Sequence, residues 1–136
     1  MRAGTYRQGR SLHDDGPLVL VVDDYDHTRE MYAEFLSFVG FRVAEAATAE
    51  VALELARRLR PSAIVMDLAL PGMSGWEAAA CLRRDVRRRL PIIAVTASCD
   101  PSFRAAALGA GCDAFMQKPV GPNALADAIG DLLRQT

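Results

Sequence analysis

Asp23-Asp24, Asp67, Thr96 and Lys118 are the residues whose types and spacing could do chemistry. Each follows a short apolar run: 18–22 leads into Asp23-Asp24, 63–66 into Asp67, 91–95 into Thr96 and 114–117 into Lys118. Carboxylates packed closely repel one another and raise one another's pKa values, and a divalent cation relieves that repulsion. All-oxygen ligands without His or Cys favour Mg²⁺, with Mn²⁺ fitting the same set, and Mg²⁺ keeps several of its waters. A carboxylate beside such an ion can act as a nucleophile toward phosphorus and give an acyl phosphate. The Lys118 ammonium, the Thr96 hydroxyl and loop N–H groups could then neutralise the phosphoryl oxygens. Asp67 is the best acceptor, because it stands alone at its run's end before a loop of small residues; Asp23 and Asp24 read as metal holders. Lys118 is the only lysine in a chain otherwise committed to arginine, which suits a site that wants a compact, movable point charge.

These groups meet only if their runs are neighbouring strands. Short, branched, non-alternating apolar runs read as strands buried on both faces, hence a parallel sheet. Helical patterns alternate with them. The first spans about 26–39, with Met31, Phe35, Phe38 and Val39 at helical spacing and Gly40 as its stop. A short strand at 41–44 follows. Thr48 is a good N-cap for a second helix that buries Val51, Leu55 and Leu59 and ends at Pro61. Pro71-Gly72-Met73-Ser74-Gly75 opens a third at Trp76, Pro101 a fourth over 101–109, and Pro122 a fifth carrying Leu125, Ile129 and Leu132-Leu133. The expected fold is α/β: a doubly wound five-stranded parallel sheet, order 2-1-3-4-5 counted from the strand at Leu18, with helices on both faces (flavodoxin-like). Ligands bind outside the carboxyl ends of such strands, where these side chains would converge. Residues 1–16 read as a flexible tail and 17–136 as one domain.

Composition removes other function classes. The chain has 136 residues, 51% hydrophobic, 24% charged and a net charge of −1; no global field points to nucleic acid. No apolar stretch is long enough to cross a membrane, and the first residues lack the apolar core of a signal peptide, so a cytoplasmic location is expected. Cys81, Cys99 and Cys112 have no metal-ligand spacing and read as reduced, mostly buried thiols, Cys99 being the one near a strand end. Arg83, Arg84, Arg87, Arg88 and Arg89 read as a solvated face, Trp76 as packing, and His13 and His27 as isolated.

The four motifs together (apolar strand-Asp-Asp, D-x-x-x-P-x-x-x-G from Asp67, V-T-A ending at Ala97, and Lys118-Pro119) resemble the receiver domain of two-component response regulators over about 17–136; a stand-alone receiver is one expectation and a piece cut from a longer regulator or hybrid kinase the other. The resemblance implies that Asp67 takes phosphate from a phosphohistidine on a sensor histidine kinase or histidine phosphotransfer protein. It implies that Asp24 and Asp67 bind Mg²⁺ directly with the Ala69 backbone carbonyl, that Asp23 acts largely through water, and that Thr96 and Lys118 grip the phosphoryl oxygens. It also implies a switch in which Thr96 moves toward the phosphate and Phe115 turns inward behind it, a cis Lys118-Pro119 peptide, and a downstream protein target on the face of the fourth helix, last strand and fifth helix, which such domains also use to homodimerise. No direct nucleic-acid contact is implied. Leu70 and Ser74 depart mildly from the common pattern; small Ala69 and Ser98 stand where larger polar groups often tune phosphate lifetime. Two alternatives are a degenerate receiver acting as a constitutive interaction module and a small aspartate-nucleophile phosphatase, the latter disfavoured by the D-D-Y-D sequence and the absence of a cap segment.

Overall fold

A computed structural model describes residues 5–7, 16–86, 89–97 and 100–135. Its strands are β1 (Thr5–Arg7), β2 (Leu18–Val22), β3 (Arg42–Ala46), β4 (Ala63–Asp67), β5 (Ile92–Thr96) and β6 (Ala114–Gln117). Its helices are α1 (Asp26–Phe38), α2 (Ala49–Leu59), α3 (Gly75–Asp85), α4 (Pro101–Gly109) and α5 (Pro122–Arg134). The sheet order is β1-β3-β2-β4-β5-β6. All pairings among β2–β6 are parallel, so the five expected strands take the expected 2-1-3-4-5 order. The sixth strand was not foreseen: Thr5–Arg7, within the segment read as a tail, pairs antiparallel with β3. Three residues offer too little pattern to read as a strand.

β2, β4 and β5 are fully buried, and alternate residues feed two separate cores. Leu20, Val22, Ile64, Met66, Ile92 and Ala94 face α2, α3 and α4. Val19, Val21, Val65, Ile93 and Val95 face α1 and α5. Burial on both faces is what makes these runs continuous rather than alternating.

Local signals place the helix starts. Thr48 accepts the Val51 N–H at 3.2 Å. Ser74 and Glu77 form a reciprocal capping box, the arrangement that satisfies two otherwise orphaned donors. Asp100 caps α4 through the Ser102 N–H at 3.0 Å.

Two sequence expectations need correction. On α1 the face on the sheet is Tyr32, Ala33, Leu36 and Ser37; Met31 and Val39 are exposed and Phe38 is 84% exposed. The helix carries two apolar stripes, and the one with small Ala33 and Ser37 packs closer. The arginine run is also not simply a solvated face. Arg83 donates to the Gly111 carbonyl at 2.7 Å and the Leu90 carbonyl at 2.6 Å and pairs with Asp113. Arg89 reaches the other oxygen of Asp113 at 2.9 Å, and the Ile92 N–H donates to Asp113 at 2.8 Å. This clasp ties the end of α3 to β5 and to the entry of β6. Asp113→Ala leaves Arg83 without its carboxylate partner and should cost about 2 kcal/mol, less than a fully buried pair because Arg89 is half-exposed; a thermal melt would show a drop of several degrees. Arg87, Arg88, Ser98, Cys99 and His13 lie outside the described residues. Cys112 is buried and burial pushes its thiol up to about 11, so it stays protonated and inert.

Candidate functional site

The site lies at the carboxyl edge of the sheet. Asp67 and Thr96 are the last residues of β4 and β5, Asp23 follows β2, and Lys118 follows β6. Parallel pairing in register brings these four ends side by side. The Lys118 ammonium sits 2.9 Å from Asp23 Oδ2 and 3.3 Å from Asp67 Oδ2. Asp23, Asp67 and Thr96 are buried polar residues, whereas Asp24 is exposed. One carboxylate oxygen from each of Asp23, Asp24 and Asp67 lies within 4.8 Å of the others. Such an all-oxygen, hard donor set fits Mg²⁺, with one exposed side left for water.

Each side chain is held by its own loop. The Tyr25 N–H donates to Asp23 Oδ1 at 2.9 Å, leaving Oδ2 for the lysine. The Ala69 N–H donates to Asp67 Oδ1 at 3.0 Å. The Lys118 N–H donates to the Thr96 carbonyl at 2.7 Å, and the Lys118-Pro119 peptide is cis, as expected. Phe115 is half-buried against the core on the α4 side. His27 is exposed and its ring lies 6.0 Å from that of Tyr25. Trp76 is a packing residue, edge-on to Phe103 of α4 at 5.2 Å between ring centres.

Electrostatics match this crowding. Burial raises the Asp67 carboxyl above the usual range, and Asp23 adds to the rise; the Ala69 N–H and Lys118 oppose it. For Lys118 burial alone would lower the pKa, but the hydrogen bond and charge of Asp23, with those of Asp67, outweigh it and hold it above the ordinary lysine value. The ammonium is therefore charged at any physiological pH and compensates two acids.

Sequence reasoning missed the supports around this cluster. Arg29 donates to the Asp23 carbonyl at 3.0 Å and to Glu45 Oε1 at 3.2 Å, and pairs with Asp26 at 2.9 Å. Glu45 is buried on β3; an acid set among Val43, Ala44, Ala46 and Ala47 was the available signal. The glycine of the Asp67 motif has a packing reason. A Cβ on Gly75 would lie 2.3 Å from the Asp67 carbonyl oxygen and 2.7 Å from Leu68 Cα. Gly75→Ala must push backbone against backbone, so it should destabilise by about 1–3 kcal/mol and displace the loop holding Asp67; an unchanged melting curve would argue against this close approach.

A family model described as the response regulator receiver domain matches residues 19–130. The chain belongs to that family. It is the receiver domain of a two-component response regulator, with the flavodoxin-like fold. Among its relatives, the receiver is 39% identical over 118 residues to the response regulator MprA of Mycobacterium leprae, covering 87% of this chain and 51% of that one. It is 38% identical over 119 residues to the transcriptional regulatory protein AfsQ1 of Streptomyces coelicolor, covering 88% and 52%. The chain thus spans about half the length of the curated relatives it matches. Among solved structures, a CheY-like response regulator receiver domain from Methanospirillum hungatei superposes with a TM-score of 0.84 at 29% identity, covering 89% of this chain and 96% of that one. The BeF3-activated DrrB receiver domain does so with a TM-score of 0.80 at 25% identity, covering 88% and 98%. No helix of the described residues is long and apolar enough to cross a membrane.

Proposed function

We propose that this receiver accepts a phosphoryl group on Asp67 from a phosphohistidine of a sensor histidine kinase or histidine phosphotransfer protein, and that the modified domain presents a changed surface to a downstream protein. The observation that carries the reading is the Lys118 ammonium seated between the Asp23 and Asp67 carboxylates at the sheet edge. The Asp67 carboxylate attacks phosphorus, the new O–P bond forms as the P–N bond to the donor imidazole breaks, and the imidazole leaves neutral after taking up a proton. Lys118 is already beside the attacking group, so a small shift carries its charge onto the phosphoryl oxygens. Thr96 supplies a hydroxyl from the neighbouring strand end. The Ala69 N–H fixes the Asp67 carboxylate in the attacking orientation. Asp24 and Asp67, with the Ala69 carbonyl and a water-mediated Asp23, would hold Mg²⁺, which neutralises phosphoryl charge when bound.

Movement of Thr96 toward the phosphate leaves room behind it for Phe115, and these two residues bias the α4, β6 and α5 face. That face is the proposed contact for the downstream partner and for a homodimer. A cytoplasmic location accords with this partnership.

Incubation with acetyl phosphate and Mg²⁺ tests the reading. One phosphate should be incorporated per chain. Continuous release of inorganic phosphate with no retained label would favour a phosphatase, and no uptake a constitutive binding module. Asp24→Ala should weaken Mg²⁺ binding by about tenfold or more, equivalent to ~1.4 kcal/mol; an unaltered metal titration would remove Asp24 from the site.

A further inference from the structure

We propose that Tyr32 is a positioning residue that sets the Lys118 ammonium by holding the turn between β6 and α5. The proposal deepens the phosphoacceptor reading and rests on it. Lys118 stands on that turn and is fixed on one side by its own N–H, which donates to the Thr96 carbonyl at 2.7 Å. On the other side, two residues further on, the Val120 carbonyl accepts the Tyr32 hydroxyl at 3.0 Å. The bond is buried and joins residues 88 apart in sequence. Strand β5 and helix α1 therefore clamp the turn on either side of Lys118, and the side chain between them spans to Asp23 and Asp67.

Tyr32 is itself anchored by packing. It is 4% exposed and packs in the core formed with α5, where Val120 also lies. Burial raises its phenol pKa, with Lys118 lowering it and Asp23 and Asp67 raising it, so the hydroxyl remains a donor throughout the physiological range. The ring also walls a cleft of about 400 Å³ that runs from Thr28 and Met31 on α1 to Lys118 and Pro119. A phenylalanine would fill the same space but leave the Val120 carbonyl unheld. The turn could then shift, carrying Lys118 away from the position that serves the phosphoryl group.

The test uses beryllofluoride as the phosphoryl mimic with saturating Mg²⁺, read by isothermal titration calorimetry on four chains: wild type, Tyr32→Phe, Lys118→Ala and the double variant. Tyr32→Phe should weaken beryllofluoride binding about tenfold without weakening the binding of Mg²⁺ alone, because the three acidic residues keep their own loops and Lys118 repels the cation. In the Lys118→Ala background the same substitution should have no further effect, since a residue that acts through Lys118 has nothing left to position. Unchanged binding by Tyr32→Phe, or an equal loss in both backgrounds, would overturn the proposal while leaving the phosphoacceptor reading intact. Failure of the wild type to bind beryllofluoride would overturn that reading and the proposal with it. A measurement on the unaltered chain covers a variant that does not fold. The Tyr32 hydroxyl proton should appear in solution NMR as a slowly exchanging resonance with cross-peaks to Val120 or Gly121, and exchange at the rate of free tyrosine would refute the clamp.

Discussion

Asp67→Asn should take up no phosphate from acetyl phosphate or from any phosphohistidine donor. The amide is a near-isostere, so the Ala69 N–H keeps its acceptor, yet an amide oxygen is not a competent nucleophile toward phosphorus. The fold should not suffer. Asp67 is buried and its carboxyl is raised mainly by that burial, which means that its ionised form is less favourable in the folded chain than in the unfolded one. For an acid whose folded pKa lies above its unfolded value, the destabilisation is fully present above the folded pKa and disappears below the unfolded one. In metal-free buffer at neutral pH the variant should therefore melt at the wild-type temperature or a few degrees above it. That difference should shrink as the pH falls through the Asp67 titration. Melting curves of the two chains from neutral to acidic pH check the sign. A variant that melts well below the wild type at neutral pH would show that Lys118 compensates Asp67 more fully than burial penalises it.

Lys118→Arg should lower the initial rate of labelling on the order of 100-fold, the scale of losing one placed electrostatic contact in the transition state. Charge is conserved by the exchange, so the effect isolates geometry. The lysine ammonium is a compact point that reaches Asp23 Oδ2 and Asp67 Oδ2 together. A planar guanidinium on the same turn is broader and directional, and it forks onto carboxylates. It would bind the two acids and remain there instead of passing to the phosphoryl oxygens. The comparison is a time course of acetyl phosphate labelling at saturating Mg²⁺ for both chains. Equal rates would mean that positive charge near Asp67 is enough and that its placement is irrelevant.

Much of this site was legible because strand ends carry their own signal. The apolar runs before Asp23, Asp67 and Thr96 are buried on both faces, the run before Lys118 is a half-buried edge strand, and parallel packing makes their last residues converge. Helix starts were legible for a local reason too: Thr48 satisfies a backbone donor within three residues, and Pro101 and Pro122 open α4 and α5. Relations between distant elements were not. Met31 and Phe38 fit a helical period as well as Tyr32 and Leu36 do, and only the close approach allowed by Ala33 and Ser37 decides which stripe meets the sheet. Tyr32 reads as an ordinary core aromatic until its hydroxyl is seen on the Val120 carbonyl. Arg29 and Glu45, and Arg83 and Asp113, pair across 16 and 30 positions, and an arginine within a basic run gives no sign of which one turns inward. Gly75 was placed in a turn, but its need to be glycine comes from the Asp67 backbone passing beneath it.

The most direct measurement traps the modified residue. The wild-type chain, treated with acetyl phosphate and Mg²⁺, is reduced with borohydride, which converts an aspartyl phosphate to homoserine, and the site is then located by peptide mass spectrometry. Homoserine should appear at position 67 alone and should vanish when the cation is chelated. Homoserine at Asp24 or Asp23, or undiminished conversion at Asp67 without a divalent ion, would contradict a phosphoacceptor built from three clustered acids and one lysine.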